Sequence, residues 1–253
     1  MATTGIVRDK YSDTTRQAAI KARTMQPTAA KLIRWAGLSA IVAGLFYVVV
    51  GLFHPVETLA SVTTTRWLIV HALATAMCFF GPLGLVGLYA RQVKEAGWLG
   101  LAGYLLLTLF YALTAPFTFA EVFLLPPSAS AAPMFVESYL GMFNGHPGAM
   151  NLGILATVYT LSGVVYILGG LLFGIATIRA GVLPRWAAAL LALGTGLSPA
   201  AAVLPEAHKA LVAVPMGLAL AWLGYSLWSE RREHAAEALP DTGGPRLSQI
   251  GAE

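Results

Sequence analysis

Outside its two polar ends, the 253-residue chain has few groups able to move a proton or hold an ion: Glu57, Glu95, Glu121, Glu137 and Glu206, with His54, His71, His146 and His208. His71 and Glu121 come first. An imidazole and a carboxyl can share a proton, orient a ligand or work as acid and base. Each lies in a long apolar run, where an ionised carboxylate costs at least about 2.5–3.5 kcal/mol and should face inward to a partner. His54 and Glu57 follow the first apolar run, and His146 and Asn151 flank the start of a later one. The candidate ligand-binding set is therefore His54, Glu57, His71, Glu121, His146 and Asn151. In an enzyme, Glu121 would be the acid and His71 its partner. The plainer account is a hydrogen-bonded pair that fixes two helices.

These side chains are of metal-binding types, yet no His-x-x-x-His or His-Glu-x-x-His spacing occurs and Pro55 breaks the turn between His54 and Glu57. No metal site is expected, and no cofactor. A bis-histidine haem would need histidines paired at depth, and only His71 is inside an apolar run. Cys78, the one cysteine, cannot form an internal disulfide and reads as a small apolar residue among Met77, Phe79 and Phe80.

The elements that must position these groups follow from composition. The chain is 57% hydrophobic and 11% charged, against about 25% charged in a soluble domain, and its mean hydropathy is +0.69. This excludes a water-soluble fold and a disordered chain. The expected fold class is all-α: a polytopic membrane bundle of six transmembrane helices. The apolar runs cover 33–53, 67–90, 98–125, 149–178, 186–204 and 210–228, each near the roughly 20 helical residues that cross a bilayer. Residues 1–31 are expected to be a polar cytoplasmic tail, because no apolar stretch with a small-residue cleavage site follows their charges. Residues 32–228 form the membrane domain and 229–253 a disordered cytoplasmic tail.

Orientation comes from the basic residues. With the N-terminus inside, 14 of the 16 Lys and Arg fall in inner segments, leaving Arg66 and Lys209 outside. This bias predicts both termini in the cytoplasm. It also accounts for the formal charge of +4 without a nucleic-acid partner, and none is expected. Trp35, Trp98, Trp186 and Trp228 fall at inner boundaries and Trp67 at an outer one, as belt residues do. His71, four residues past Trp67, should then lie about 6 Å inside, and all the acidic and histidine residues between the tails except Glu95 fall in the outer half.

Helix packing should use small residues: Gly37, Ala40, Gly44 and Gly51 on the first span, Gly170 with Gly174 on the fourth, Gly217 with Ala221 on the sixth. The same faces could serve contacts within one bundle or a homo-oligomer. Pro82, Pro116 and Pro215 are expected to kink three spans. The outer loop 126–148 has no Lys or Arg, and its stretch Pro133–Phe143 predicts a short helix with Phe135, Tyr139, Met142 and Phe143 toward one side, as a lid over a pocket beneath.

The run from Phe173 to Trp186, Gly87-Leu88-Tyr89-Ala90-Arg91 and Ala221-Trp222-Leu223-Gly224-Tyr225 resemble segments of uncharacterised bacterial six-helix integral membrane proteins, over roughly residues 32–228. The resemblance implies a multi-pass protein of the bacterial cytoplasmic membrane and carries no chemistry to particular residues. The expected function is binding of a small lipidic or amphiphilic molecule in an outward-facing polar pocket, with membrane lipids as partners. Three alternatives stay open: an intramembrane acid–base enzyme acting on a lipid or isoprenoid, a proton-coupled small-molecule transporter, and a structural subunit of a membrane complex.

Overall fold

The computed structural model describes residues 29–237 apart from Pro147. Among the described residues the chain is helical and has no strand. The helices are α1 (Ala29–Phe53), α2 (Thr65–Arg91), α3 (Val93–Phe123), α4 (Leu125–Ala131), α5 (Pro133–Asn144), α6 (Leu155–Ala180), α7 (Arg185–Gly196) and α8 (Val214–Glu237), with 3-10 turns at Ser198–Val203 and Glu206–Ala213. One compact unit begins at Ile33; of the other, Met1–Leu32, only 29–32 are described. The tail expected at 1–31 lies outside the described residues as far as 28, and that at 229–253 does so from 238; between them α8 continues as helix to Glu237, past the expected boundary at 228.

Five segments are long and apolar enough to cross a membrane: Lys31–Phe53, Thr65–Arg91, Val93–Phe123, Leu155–Ala180 and Ala207–Ser229. The run expected to be a fifth of six spans, 186–204, does not form one long α-helix. It is the 12-residue α7 followed by the 3-10 turn Ser198–Val203. The local reason is sequence: Gly194 and Gly196 weaken the last α-turn, and Pro199 has no N–H to continue the ladder. Pro215 opens α8, where the segment Ala207–Ser229 changes from 3-10 to α-helix, whereas Pro82 and Pro116 lie within α2 and α3.

The small-residue stripes are used inside this one chain. On α1, Gly37 meets Gly224 and Trp228, Gly44 meets Gly217 and Ala221, and Gly51 meets Val214 of α8. Ascending numbers on one helix meet descending numbers on the other, so the two are antiparallel. The same inversion relates α2 to α1 (Gly84 on Ala40, Gly87 on Ala36), α3 to α6 (Gly103 on Phe173, Gly169 on Leu107) and α6 to α7 (Gly170 on Thr195, Gly174 on Ala188). It also relates α2 to α3, where Tyr89 stacks on Tyr104 at one end and Trp67 bonds Glu121 at the other. Lipid supplies no hydrophobic drive between helices, so this backbone approach lets dispersion hold the bundle.

Two features set the ends. Gly97, at φ 54 and ψ −150, turns a corner inside α3, so the part beyond the corner begins at Trp98, the first residue of the apolar run 98–125. At the opposite end of α3, Leu124 breaks the helix and Pro126 and Pro127 open α4. The connection from α2 to α3 is tied down by Gln92, whose Nε2 donates to Thr177 Oγ1 at 2.8 Å.

Candidate functional site

Trp67 organises the site. Thr64 caps α2 by accepting from the Trp67 N–H at 3.2 Å. The indole, fully buried, then donates from Nε1 to the Glu121 carbonyl at 2.8 Å. That carbonyl lies in the last turn of α3, where a helix leaves its C=O groups without ladder partners. The same tryptophan's own carbonyl accepts from His71 Nδ1 at 2.9 Å, and its ring stacks on the imidazole at a centroid distance of 3.9 Å. Trp67 is thus a core residue holding both members of the pair, not the interfacial anchor expected of it.

Because a carbonyl can only accept, His71 Nδ1 carries the proton in this bond. Nε2 is left facing the Glu121 carboxyl, 3.7 Å from Oε2, and has no hydrogen-bond partner. The separation is within ion-pair range and beyond a hydrogen bond. His71 is 1% and Glu121 7% exposed, so the expected meeting of the two across antiparallel helices at similar depth occurs.

Two more of the expected residues approach. The His54 ring meets His71 edge-on with centroids 5.0 Å apart, while its Nδ1 bonds the Pro55 carbonyl at 2.9 Å. Arg66 holds the end of α1, donating from Nε to the Phe53 carbonyl and from Nη2 to that of His54. Burial lowers the His54 pKa, the Pro55 bond opposes this, and the Arg66 charge lowers it again. Glu57 is tied by its backbone: Asn144 at the end of α5 donates to its carbonyl at 3.1 Å. His146 and Asn151 are exposed and are not brought to the pair; Asn151 instead closes a local turn, accepting from the Gly153 N–H at 2.8 Å.

The helix expected in the outer loop forms as α5 and covers this end of the bundle. Tyr139 is 3% exposed and donates to the Phe117 carbonyl at 3.2 Å. Burial, with the Glu121 and Glu57 carboxyls nearby, pushes its phenol well above the usual range, which keeps that proton in place. Phe143 meets Tyr139, Phe117 and Tyr159 with centroids 5.4, 6.3 and 4.7 Å away. Nothing at sequence level singled out Phe117 or Tyr159; only the course of α6 past α3 joins them to the lid.

An apolar groove of about 340 Å³ lies between α2 and α3, lined by residues that include Ala72, Thr75, Ala76, Phe79, Val122 and Phe123. Ala72 and Val122 are the immediate chain neighbours of His71 and Glu121, and Phe79 and Phe123 are 67% and 56% exposed. The one hydroxyl among these six, Thr75, is turned back on the His71 carbonyl at 2.9 Å. The groove is thus dry-walled and open on the outside of the bundle, in contrast to the polar pocket expected. Among the described residues no group of three or more His, Cys, Asp or Glu is placed to hold a metal ion. Comparison with known protein families, curated proteins and solved structures finds no match to this chain.

Proposed function

We propose that the chain crosses the bacterial cytoplasmic membrane six times, with both termini inside, and binds a small lipidic or amphiphilic molecule near its outer surface. Antiparallel α1 and α8 support an even number of crossings, since their outer sequence ends then lie on one side. The α7 segment is long enough to serve: twelve α-residues at about 1.5 Å and six 3-10 residues at about 2 Å reach about 30 Å, the thickness of a bilayer core. The distribution of Lys and Arg supports the orientation. A cysteine placed at Met134 should react with an impermeant thiol reagent on intact cells, and one at Val93 only after permeabilisation; the reverse pattern overturns the orientation.

The observation that carries the binding reading is the buried pair beside the groove. His71 Nε2 and the Glu121 carboxyl sit one residue from walls that are apolar and open to the side. An amphiphile could lay its chain in the groove and direct its polar end toward the pair. Native mass spectrometry of the protein released in mild detergent tests this. Wild type should retain a discrete lipid-sized adduct that Ala76→Trp, which fills the groove without touching the pair, loses. Equal adducts in both proteins refute the reading.

The locked His71 ring favours a second reading, the acid–base enzyme. With Nδ1 committed to Trp67, only Nε2 is free to take and return a proton opposite Glu121. Glu121→Gln should then abolish conversion of the retained lipid while leaving its adduct in place.

A further inference from the structure

Inward from the pair, the seam of α3 is polar. Glu121, Thr118, Thr114 and Tyr111 follow one another at intervals of three, four and three residues, which sets them in one line along the helix. On α2, Cys78 lies two turns past His71, and Gly81 nearly one turn further. Gly81 is required there: a Cβ would overlap the Tyr111 ring. Tyr47 of α1 closes the line, its ring edge-on to Tyr111 with centroids 6.4 Å apart.

The hydroxyls of Thr114, Tyr111 and Tyr47 on this line are buried and have no partner in good hydrogen-bond geometry, those of Tyr47 and Tyr111 being close enough to interact with each other. Tyr111 is 1% and Tyr47 5% exposed. Pro82 adds a further acceptor in the turn that Tyr111 packs on, because it has no N–H to offer the Cys78 carbonyl. Buried polar groups are paired with protein or with ordered water, and inside a membrane the penalty for failing to do so is at its largest. Toward the opposite end the seam changes character: Leu85, Leu88, Leu107 and Phe173 are all fully buried and apolar.

We propose that this line is a water site: a short file of ordered water runs from Glu121 to the Tyr47–Tyr111 pair and ends on the apolar plug. The file spans about 15 Å, ten residues at 1.5 Å. The file stops at the bundle's centre and so does not cross it. This does not depend on what occupies the α2–α3 groove.

X-ray radiolytic footprinting of the full chain in phosphatidylcholine nanodiscs tests it, because radicals formed from bound water oxidise the side chains beside that water. Tyr47, Tyr111 and Cys78 should be oxidised several-fold faster than Phe173, an equally buried aromatic. Labelling of the two tyrosines no faster than Phe173 overturns the proposal in the wild-type protein alone. In Tyr111→Phe the oxidation of Tyr47 and Cys78 should fall while the rest of the pattern is unchanged; undiminished oxidation of both also overturns it.

Discussion

Replacing Trp67 with phenylalanine separates the architecture of the site from its chemistry. The substitution keeps an aromatic ring over His71 and leaves the Trp67 carbonyl, which holds Nδ1, in place. It deletes the indole N–H bonded to the Glu121 carbonyl at 2.8 Å. That acceptor then sits in the last turn of α3, in a site that Trp67 seals completely. An orphaned buried acceptor costs about 1–3 kcal/mol, and the smaller ring adds a cavity contribution of the same sign. A loss of about 2 kcal/mol is the expectation, or a midpoint lowered by about 4–8 °C for a chain of this size. The matched control is Trp98→Phe, at a residue 85% exposed, where a change within about 0.5 kcal/mol is expected. Thermal unfolding of both variants in one detergent, followed by tryptophan emission and by near-UV dichroism, makes the comparison. Equal midpoints would refute the claim that the indole anchors Glu121, and with it the account of how the pair is held.

The glycine seam makes a second prediction: a Cβ on Gly44 would overlap the Gly217 oxygen and the Ala221 nitrogen, both backbone atoms, whereas Gly163 has open space. Gly44→Val should cost about 1–3 kcal/mol through overpacking, and Gly163→Ala should stay within about 0.5 kcal/mol; detergent unfolding of the pair decides. A third concerns pH. His54 titrates below its ordinary value of 6.5 in the folded protein, so the unfolded chain binds that proton more tightly. Its contribution to stability is complete above about pH 6.5 and is lost as the pH falls toward the folded-state value. Arg66 and His71 are the charged or titratable groups that face it, with Glu121 on the far side of His71, and none of them is altered in His54→Gln. That variant should flatten the loss of stability between pH 7 and 5, and an unchanged slope contradicts the assignment.

Hydropathy made the class and five of the spans legible because it sums over side chains without asking which way they face. The fifth run of six, 186–204, has the right composition but not the right backbone: its α-helix stops at Gly196, and composition does not weigh Gly194, Gly196 and Pro199 as breakers. Facing was the part that stayed hidden. A membrane helix is apolar all round, so no period marks its buried side. In α3 that side is Ala96, Gly100, Gly103, Leu107, Tyr111, Phe117, Thr118, Glu121 and Val122, a mixture of apolar, small and polar residues that hydropathy does not separate from the side facing out. The pair itself could be found, since a histidine and a glutamate at similar depth on consecutive spans are conspicuous. Trp67 could not: an indole at a span's end has the position of a belt anchor, and only the crossing of α2 with α3 turns it inward. His146 and Asn151 were grouped with the site by nearness in sequence, and a local Asx turn claims Asn151 instead.

Proton accounting at the pair constrains what the proposed ligand can be. With Nδ1–H fixed on the Trp67 carbonyl, Nε2 and the Glu121 carboxyl hold one exchangeable proton between them. Wherever it sits, imidazole with acid or imidazolium with carboxylate, the pair is neutral overall, which suits an interior where a net charge is expensive. A ligand carboxylate or ammonium brought to Nε2 would add an uncompensated charge and need a proton moved with it. An uncharged hydroxyl needs none: it can donate to Nε2 and accept from the carboxylic acid at the same time. On the reading proposed, the buried end of the amphiphile is therefore an alcohol. A long-chain alcohol should compete for the groove at constant pH, while the corresponding fatty acid should bind only with uptake of a proton, visible as binding that weakens as the pH rises. Binding of the acid that is independent of pH would show that the polar end never reaches His71 and Glu121.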